Sequence, residues 1–108
     1  MNEKQFAFYY LAKNEEFANY YFQQLFFYAF ETLRIDHEKQ CLFYGDVGNT
    51  AQQKYKLMDN LDNIQCVVLP AYHHLNPSRT LFYELYERKF MSKGIYVICL
   101  NEEVSRDE

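Results

Sequence analysis

The sequence lacks the features that mark several large classes of protein. No apolar run comes close to the length of about 18 residues that a membrane-spanning helix requires. The first residues also lack the pattern of a secretion signal, in which basic, apolar and small residues follow one another. Basic residues are scarce as well: 11 of them against 15 acidic residues give a net charge of −4. A stand-alone nucleic-acid binder needs a concentrated basic face, so we expect DNA binding by this chain alone to be weak or absent. From the short apolar runs and the missing secretion signal, we expect a cytoplasmic protein that is not bound to membranes.

Cysteine is too scarce and too scattered for a disulfide framework or a zinc site. The three cysteines, Cys41, Cys66 and Cys99, are an odd number, and no CxxC pair occurs. Each lies in or beside an apolar run, which predicts a small buried side chain. We therefore expect neither a structural metal nor a cofactor.

Tryptophan is absent, whereas the other two aromatic residues are abundant. The 11 tyrosines and 10 phenylalanines among 108 residues exceed what the core of one small domain needs, which indicates an apolar surface or a partner. With 49% hydrophobic and 24% charged residues, the composition is that of a globular domain. We predict a single domain over residues 1–102 and a charged tail over residues 103–108.

Short apolar runs alternate with segments of helical periodicity along this domain. Strands are predicted at residues 5–11, 41–44, 66–69 and 95–100. Between them, helices are predicted from an N-cap at Asn14 to Leu33, after Thr50, and from Asn76-Pro77 to a stop at Gly94. This alternation predicts an α/β fold of three layers, with helices on both faces of a four-stranded, mostly parallel sheet. Strand order 2-1-3-4, as in flavodoxin-like domains, is the simplest choice.

The first predicted helix is apolar around most of its circumference. One stripe suits the sheet and comprises Ala18, Tyr21, Phe22, Leu25, Ala29 and Leu33. Phe26, Phe27 and Phe30 extend the apolar surface beyond that stripe. Because a four-stranded domain offers nothing obvious to pack there, we predict an interface, with a homo-oligomer as the default. The alternative is that neighbouring helices or the tail cover these rings.

Polar residues follow the predicted strands at the edge where ligands bind in open parallel sheets. Lys13, Asp46, His73 and His74 are therefore candidates for a ligand pocket. No glycine-rich phosphate-binding motif follows the first strand, and the glycines at 45 and 48 are better explained by a strand-to-helix turn. Adjacent histidines bind a metal only when a third and a fourth ligand join them, so surface histidines without a metal are the favoured interpretation.

Taken together, these segments resemble the N-terminal catalytic domain of the serine recombinases, the resolvase and invertase family. The resemblance covers nearly the whole chain and depends on the order and spacing of its apolar segments. In the family, the first strand runs into a Tyr-x-Arg-x-Ser motif. Here Tyr9 matches the tyrosine, Leu11 stands at the arginine position, and Lys13 stands at the position of the nucleophilic serine.

A second stretch carries the resemblance after the third strand, where the family reads Asp-Arg-Leu-x-Arg. Leu75 is kept, whereas His73, His74 and Pro77 replace the aspartate and both arginines. In this family the serine attacks a DNA phosphodiester, and arginines stabilise the charge that develops. The resemblance therefore implies a resolvase-like fold in a degenerate, catalytically inactive relative.

Such a relative is expected to act as a protein-interaction or regulatory module linked to DNA recombination of a mobile element. Its expected partner is a second copy or a recombinase-family protein. Two alternatives stay open: a ligand-binding or enzymatic flavodoxin-like domain that uses the strand-end residues, and a DNA-associated accessory protein. The weak DNA contacts of the latter would come from Lys13, Lys54, Lys56 and Arg79.

Overall fold

A four-stranded parallel sheet forms the centre of the molecule. The structure, a computed structural model, describes residues 4–35 and 40–101. Its strands are β1 (Gln5–Ala12), β2 (Cys41–Val47), β3 (Ile64–Leu69) and β4 (Tyr96–Cys99). All neighbouring strands pair in parallel, in the order β2-β1-β3-β4. The predicted fold class and strand order are confirmed, while the predicted tail at 103–108 lies outside the described residues.

The helices cover both faces of this sheet, which confirms the three predicted layers. They are α1 (Glu15–Phe27), α2 (Gln52–Asp59) and α3 (Arg79–Leu85), and π-helical turns at Tyr28–Thr32 and Tyr86–Phe90 extend α1 and α3. Leu25 and Ala29 pack with Phe8 on one face of the sheet. Residues of α2 and α3, such as Leu57 and Phe82, pack on the other. No helix in the described part of the chain is long and apolar enough to cross a membrane.

Side-chain caps set the ends of two helices. The Asn14 side chain accepts a hydrogen bond from the Phe17 N–H at 3.0 Å, as predicted for the start of α1. The predicted start of α3 at Asn76-Pro77 is too early. Asn76 instead accepts from the Ser78 N–H at 3.0 Å, and Ser78 becomes the N-cap. A left-handed Gly94 (φ 72°) ends the turns after α3, as predicted.

Strand β2 extends into residues that were predicted to form a loop. Gly45 and Asp46 have low strand propensity, yet they pair in register with Tyr10 and Leu11 of β1. Pairing with a neighbouring strand overrides the local preference. Gly45 also has a packing role, because a Cβ at this position would run into the ring of Tyr10.

Helix α1 buries only part of its apolar surface. Of the stripe predicted to cover the sheet, Ala18, Leu25 and Ala29 are buried. Phe22 remains 37% exposed, because it lies over Phe43 of the edge strand β2, with ring centroids 5.0 Å apart. Among residues 4–35 and 40–101 the sheet ends there, and none of their strands lies beneath the outer side of that ring.

Candidate functional site

A cavity of about 430 Å³ opens at the carboxyl end of β1. We call it the strand-end pocket; its lining residues are Leu11, Ala12, Lys13, Phe17, Tyr21, Gly48, His73 and His74. The structure thus brings three of the four residues predicted for a ligand pocket, Lys13, His73 and His74, to one place. They meet because β1 leads directly into α1, and because the 3₁₀ turn Tyr72–His74 follows the adjacent strand β3.

His74 forms the inner wall of the strand-end pocket. Its Nδ1 accepts a hydrogen bond from the Leu11 N–H at 3.0 Å, and its ring meets the Tyr21 ring edge-on at 4.5 Å. Burial lowers the pKa of His74 to about 4, and the charge of neighbouring His73 acts in the same direction. The ring is therefore neutral near pH 7. Since Nδ1 is an acceptor, the proton lies on Nε2.

The mouth of the pocket is more accessible than its wall. Lys13 and His73 are exposed, and the Lys13 ammonium lies 5.7 Å from the centre of the Phe17 ring. An exposed cation beside aromatic walls and an imidazole suits a small ligand with an anionic group and a flat apolar part. Among the described lining residues, none is a serine, threonine or cysteine.

Asp46 does not line this pocket, in contrast to the prediction. Its buried carboxylate accepts hydrogen bonds from the Tyr9 hydroxyl at 2.8 Å and from the N–H groups of Gln53 and Lys54 at 2.9 and 3.0 Å. Burial raises the pKa of Tyr9, and the bond to Asp46 and its charge raise it further, so the hydroxyl keeps its proton. Asp46 therefore joins β1, β2 and the first turn of α2.

Two aromatic residues of the strand-end pocket, Phe17 and Tyr21, were not predicted to line it; the sequence placed Tyr21 in the stripe that covers the sheet. Tyr21 contacts His74, and it also lies between Tyr10 and Phe17, with ring centroids 6.3 and 6.4 Å away. The sequence signal that could have identified these two residues was their position on the first helix. Phe17 lies in the first turn of the helix that starts at the strand end, and Tyr21 follows one turn later.

Neither the thiols nor the acidic residues assemble a further reactive site in the described ranges. No group of three or more His, Cys, Asp or Glu side chains among residues 4–35 and 40–101 is placed to hold a metal ion. Cys66 is buried, as predicted, and burial raises the pKa of its thiol to about 11. Cys41 and Cys99 are half-buried rather than buried. The thiol of Cys66 is thus protonated and of low reactivity at neutral pH.

The predicted interface residues lie together on the outer side of α1. Phe22, Phe26, Phe30, Cys41 and Phe43 line a groove of about 320 Å³ between α1 and the edge strand β2, which we call the aromatic groove. The rings of Phe26 and Phe30 lie 4.6 Å apart. Beside the groove stands Phe27, which is 61% exposed; no described neighbour covers it, so the predicted alternative of covering helices does not apply there.

The basic residues proposed for DNA contact lie on separate elements. Lys13 lies at the mouth of the strand-end pocket, whereas Lys54 and Lys56 belong to α2. The Arg79 guanidinium at the start of α3 lies 4.9 Å over the Tyr72 ring. The main-chain N–H of Lys54 is bonded to Asp46.

Comparison with known proteins gives a likeness in structure. No family model matches the sequence, and no curated protein matches it. Among solved structures, the crystal structure of the N-terminal catalytic domain of TP901-1 integrase is similar, with a TM-score of 0.74 and 20% sequence identity. The similarity covers 94% of this chain and 82% of that chain. The fold is therefore like that of a serine-recombinase catalytic domain, as the resemblance in the sequence implied.

Proposed function

We propose that this chain is a catalytically inactive serine-recombinase-like domain that acts as a protein-interaction or regulatory module in DNA recombination of a mobile element. The observation that carries the proposal is the aromatic surface of α1. Phe26 and Phe27 are 43% and 61% exposed on a domain in which helices already cover both faces of the sheet. Clustered exposed rings of this kind are typical of protein–protein contacts.

Loss of catalysis is supported by the residues around the strand-end pocket. Lys13 occupies the position that resembles the nucleophilic serine, and its amine does not form a phosphoserine link. At the positions that resemble the family's arginines, Leu11 and Pro77 carry no charge to stabilise a phosphoryl transition state. His74 stands at the remaining position that resembles an arginine, but it is neutral near pH 7 and its Nδ1 already accepts a hydrogen bond from the Leu11 N–H.

The inactivity is tested with supercoiled plasmid and an active serine recombinase as the positive control. We expect neither plasmid relaxation nor a covalent protein–DNA adduct on a denaturing gel. A covalent adduct that the substitution Lys13→Ala abolishes would show that the domain is an enzyme.

The interaction role is tested at Phe27. In light scattering, Phe27→Asp should lower the mass of the assembly to that of the monomer, because a carboxylate replaces the ring at the contact. The matched control is Tyr55→Asp, which changes a ring of similar exposure (64%) on α2, away from this surface. The partner is proposed to be a second copy or a recombinase-family protein. If Phe27→Asp leaves both self-association and co-sedimentation with a recombinase unchanged, the proposed surface is wrong.

Small-ligand binding in the strand-end pocket is the second candidate, and the convergence of Lys13, His73 and an aromatic wall favours it. The probe is a panel of aromatic carboxylates and phosphates in a thermal-shift assay. A shift that is lost in Lys13→Ala and in His73→Ala would support this function. Both side chains are exposed, so neither substitution should unfold the domain. The absence of a shift across the panel would count against the pocket.

A further inference from the structure

The edge strand β2 is long and carries little of the protection that natural sheet edges have. Its seven residues include no proline, lysine or arginine, and its one carboxylate, Asp46, is buried and bonded to Tyr9 and α2. Such residues, or a short strand, ordinarily protect an edge, because an open edge is a template for a further strand. The opposite edge strand, β4, has only four residues. Pairing with another strand is therefore favoured at β2.

Two hydrogen bonds show which way the backbone groups of β1 point. The Leu11 N–H donates to His74, which follows β3, and the Ala12 carbonyl accepts from the N–H of Gly48, which follows β2. The N–H and C=O groups of successive residues point to opposite sides of a strand. The backbone of Leu11 thus faces β3, and that of Ala12 faces β2.

This alternation determines which backbone groups of β2 face away from the sheet. In a parallel ladder a residue bonds to the two neighbours of its register partner. Ala12 is in register with Val47, so the backbone of Asp46 faces β1, and the groups of Phe43 and Gly45 point outward. Among residues 4–35 and 40–101, none forms a hydrogen bond with Phe43 or Gly45 on that outer side.

A second copy of β2, related by a two-fold axis at Tyr44, supplies the missing partners. Phe43 of one copy then faces Gly45 of the other, and each such pair exchanges both of its N–H···O bonds. Because Tyr44 is the middle residue of Cys41–Val47, this axis pairs the strand over its whole length. The two four-stranded sheets become one continuous sheet.

The same axis brings the aromatic side of α1 against its own copy. Helix α1 spans β1 and β2, since it packs on Phe8 and places Phe22 over Phe43. Its axis therefore lies about one strand spacing, ~4.8 Å, from the two-fold axis. The two α1 helices are then about 10 Å apart, which is an ordinary distance between packed helices. Phe22 and Phe26, 37% and 43% exposed at this edge, are covered by the contact.

The sequence of α1 suits a contact with a second copy. A two-fold contact gathers the same residues of both copies near the axis, so a charge in the middle of the contact would meet its like. No charged residue occurs from Phe17 to Phe30. Glu15 and Glu16 stand at one end of this stretch, and Glu31 and Arg34 stand at the other.

We infer that β2 pairs antiparallel with β2 of a second copy, in a dimer whose α1 helices pack side by side across the aromatic groove. This inference depends on the proposed function, since it assigns the partner of the α1 surface. Both copies contribute the same patch, so the contact closes at the dimer. Phe27, whose ring lies 6.5 Å from that of Phe26, borders the contact.

Sedimentation velocity of the whole chain over a wide range of concentrations tests the closed dimer. The wild type should pass from monomer to dimer and grow no further. Phe26→Asp should raise the dissociation constant at least about tenfold, because carboxylates then lie on both sides of the contact. Tyr83→Asp is the matched control, since that ring is 44% exposed on α3, on the opposite face of the sheet. It should leave the dimer intact, and circular dichroism shows that each variant is folded.

Amide exchange of the wild type, measured by NMR, separates strand pairing from a contact of helices alone. In the dimer, the N–H groups of Phe43 and Gly45 gain acceptors and should exchange at least about tenfold more slowly than in the monomer. The N–H of Asp46, which faces β1, should change little. This measurement needs no substitution.

A cross-link tests the position of the axis. At a non-hydrogen-bonded antiparallel pair the two Cα atoms lie about 4.5 Å apart, which is within the range of a disulfide. Tyr44→Cys should therefore form a covalent dimer under mild oxidation. Tyr96→Cys, on the exposed start of β4, should not. If Tyr44→Cys is folded and forms no covalent dimer, the axis at Tyr44 is wrong.

The outcomes distinguish this inference from the proposed function. If the protein dimerises but the Phe43 and Gly45 amides exchange equally at low and high concentration, the strand pairing is overturned and the α1 surface stands. A wild type that is monomeric alone but co-sediments with a recombinase through Phe27 would overturn the inference and support the proposed function. A wild type that is monomeric in both experiments would contradict both.

Discussion

Helices cover the two faces of the sheet in different ways. On the face covered by α2 and α3, aromatic side chains such as Phe82 and Phe90 are buried among aliphatic residues. On the face covered by α1, one helix spans β1 and the edge strand β2, and rings such as Phe22 and Phe26 are left partly exposed along the edge. The phenylalanines of α3 and its π-helical extension are thus buried and stabilise the fold, whereas several phenylalanines of α1 remain exposed.

The largest test of this difference compares two phenylalanines. Phe90 is fully buried, so Phe90→Ala should lower the free energy of unfolding by about 3–5 kcal/mol, through lost burial and the cavity left behind. Phe27→Ala should change it by less than about 0.5 kcal/mol in dilute, monomeric protein. Urea denaturation measures both. Similar losses at the two positions would show that the α1 ring contributes to the core after all.

A second test addresses the buried carboxylate of Asp46. Asp46→Ala removes the acceptor for the Tyr9 hydroxyl and for two N–H groups of α2, and the unpaired donors should cost about 3 kcal/mol. Asp59→Ala, an exposed carboxylate on the same helix, is the matched control and should be nearly neutral. Adding Tyr9→Phe to Asp46→Ala should recover part of the loss. Equal effects of Asp46→Ala and Asp59→Ala would contradict the anchoring role.

The sheet and its layers could be predicted from the sequence, because apolar runs and helical periodicity are local patterns that the order β-α-β-α-β-α-β combines into one topology. The separation of Asp46 from His73 and His74 could not be predicted in this way. Whether a polar residue at a strand end faces a pocket or a helix terminus depends on the register of β1 with β2. That register pairs Asp46 with Leu11, and the hydroxyl of Tyr9, two residues before Leu11, reaches the Asp46 carboxylate. The periodicity of α1 likewise indicated an excess apolar surface, but not that Phe22 would lie at the sheet's edge.

A third test concerns the contact between Gly45 of the edge strand β2 and the Tyr10 ring of β1, on the face of the sheet that α1 covers. Gly45→Ala would place a methyl group against the Tyr10 ring, and we expect a loss of about 1–3 kcal/mol from overpacking. In a Tyr10→Ala background the same substitution should cost much less, since the obstructing ring is gone. A double-mutant cycle by urea denaturation measures the coupling. Equal costs in both backgrounds would mean that the glycine is required for another reason, such as its pairing within β2.

A fourth test is a pH dependence at His74, where the carboxyl end of β1 meets α1. Burial holds the folded pKa near 4, while an unfolded histidine titrates near 6.5. Unfolding therefore takes up a proton between these values, and the free energy of unfolding falls by at most about 1.4 kcal/mol per pH unit as the pH drops through this window. His74→Asn keeps an acceptor for the Leu11 N–H but does not titrate, so the difference between wild type and variant removes the contribution of the carboxylates. His73→Asn, on the exposed neighbour, should retain most of the slope because burial is the larger cause of the shift. Identical slopes for wild type and His74→Asn would show that this imidazole is solvated. The side chains where the strand end meets α1 would then be less tightly packed than the hydrogen bond from the Leu11 N–H to His74 indicates.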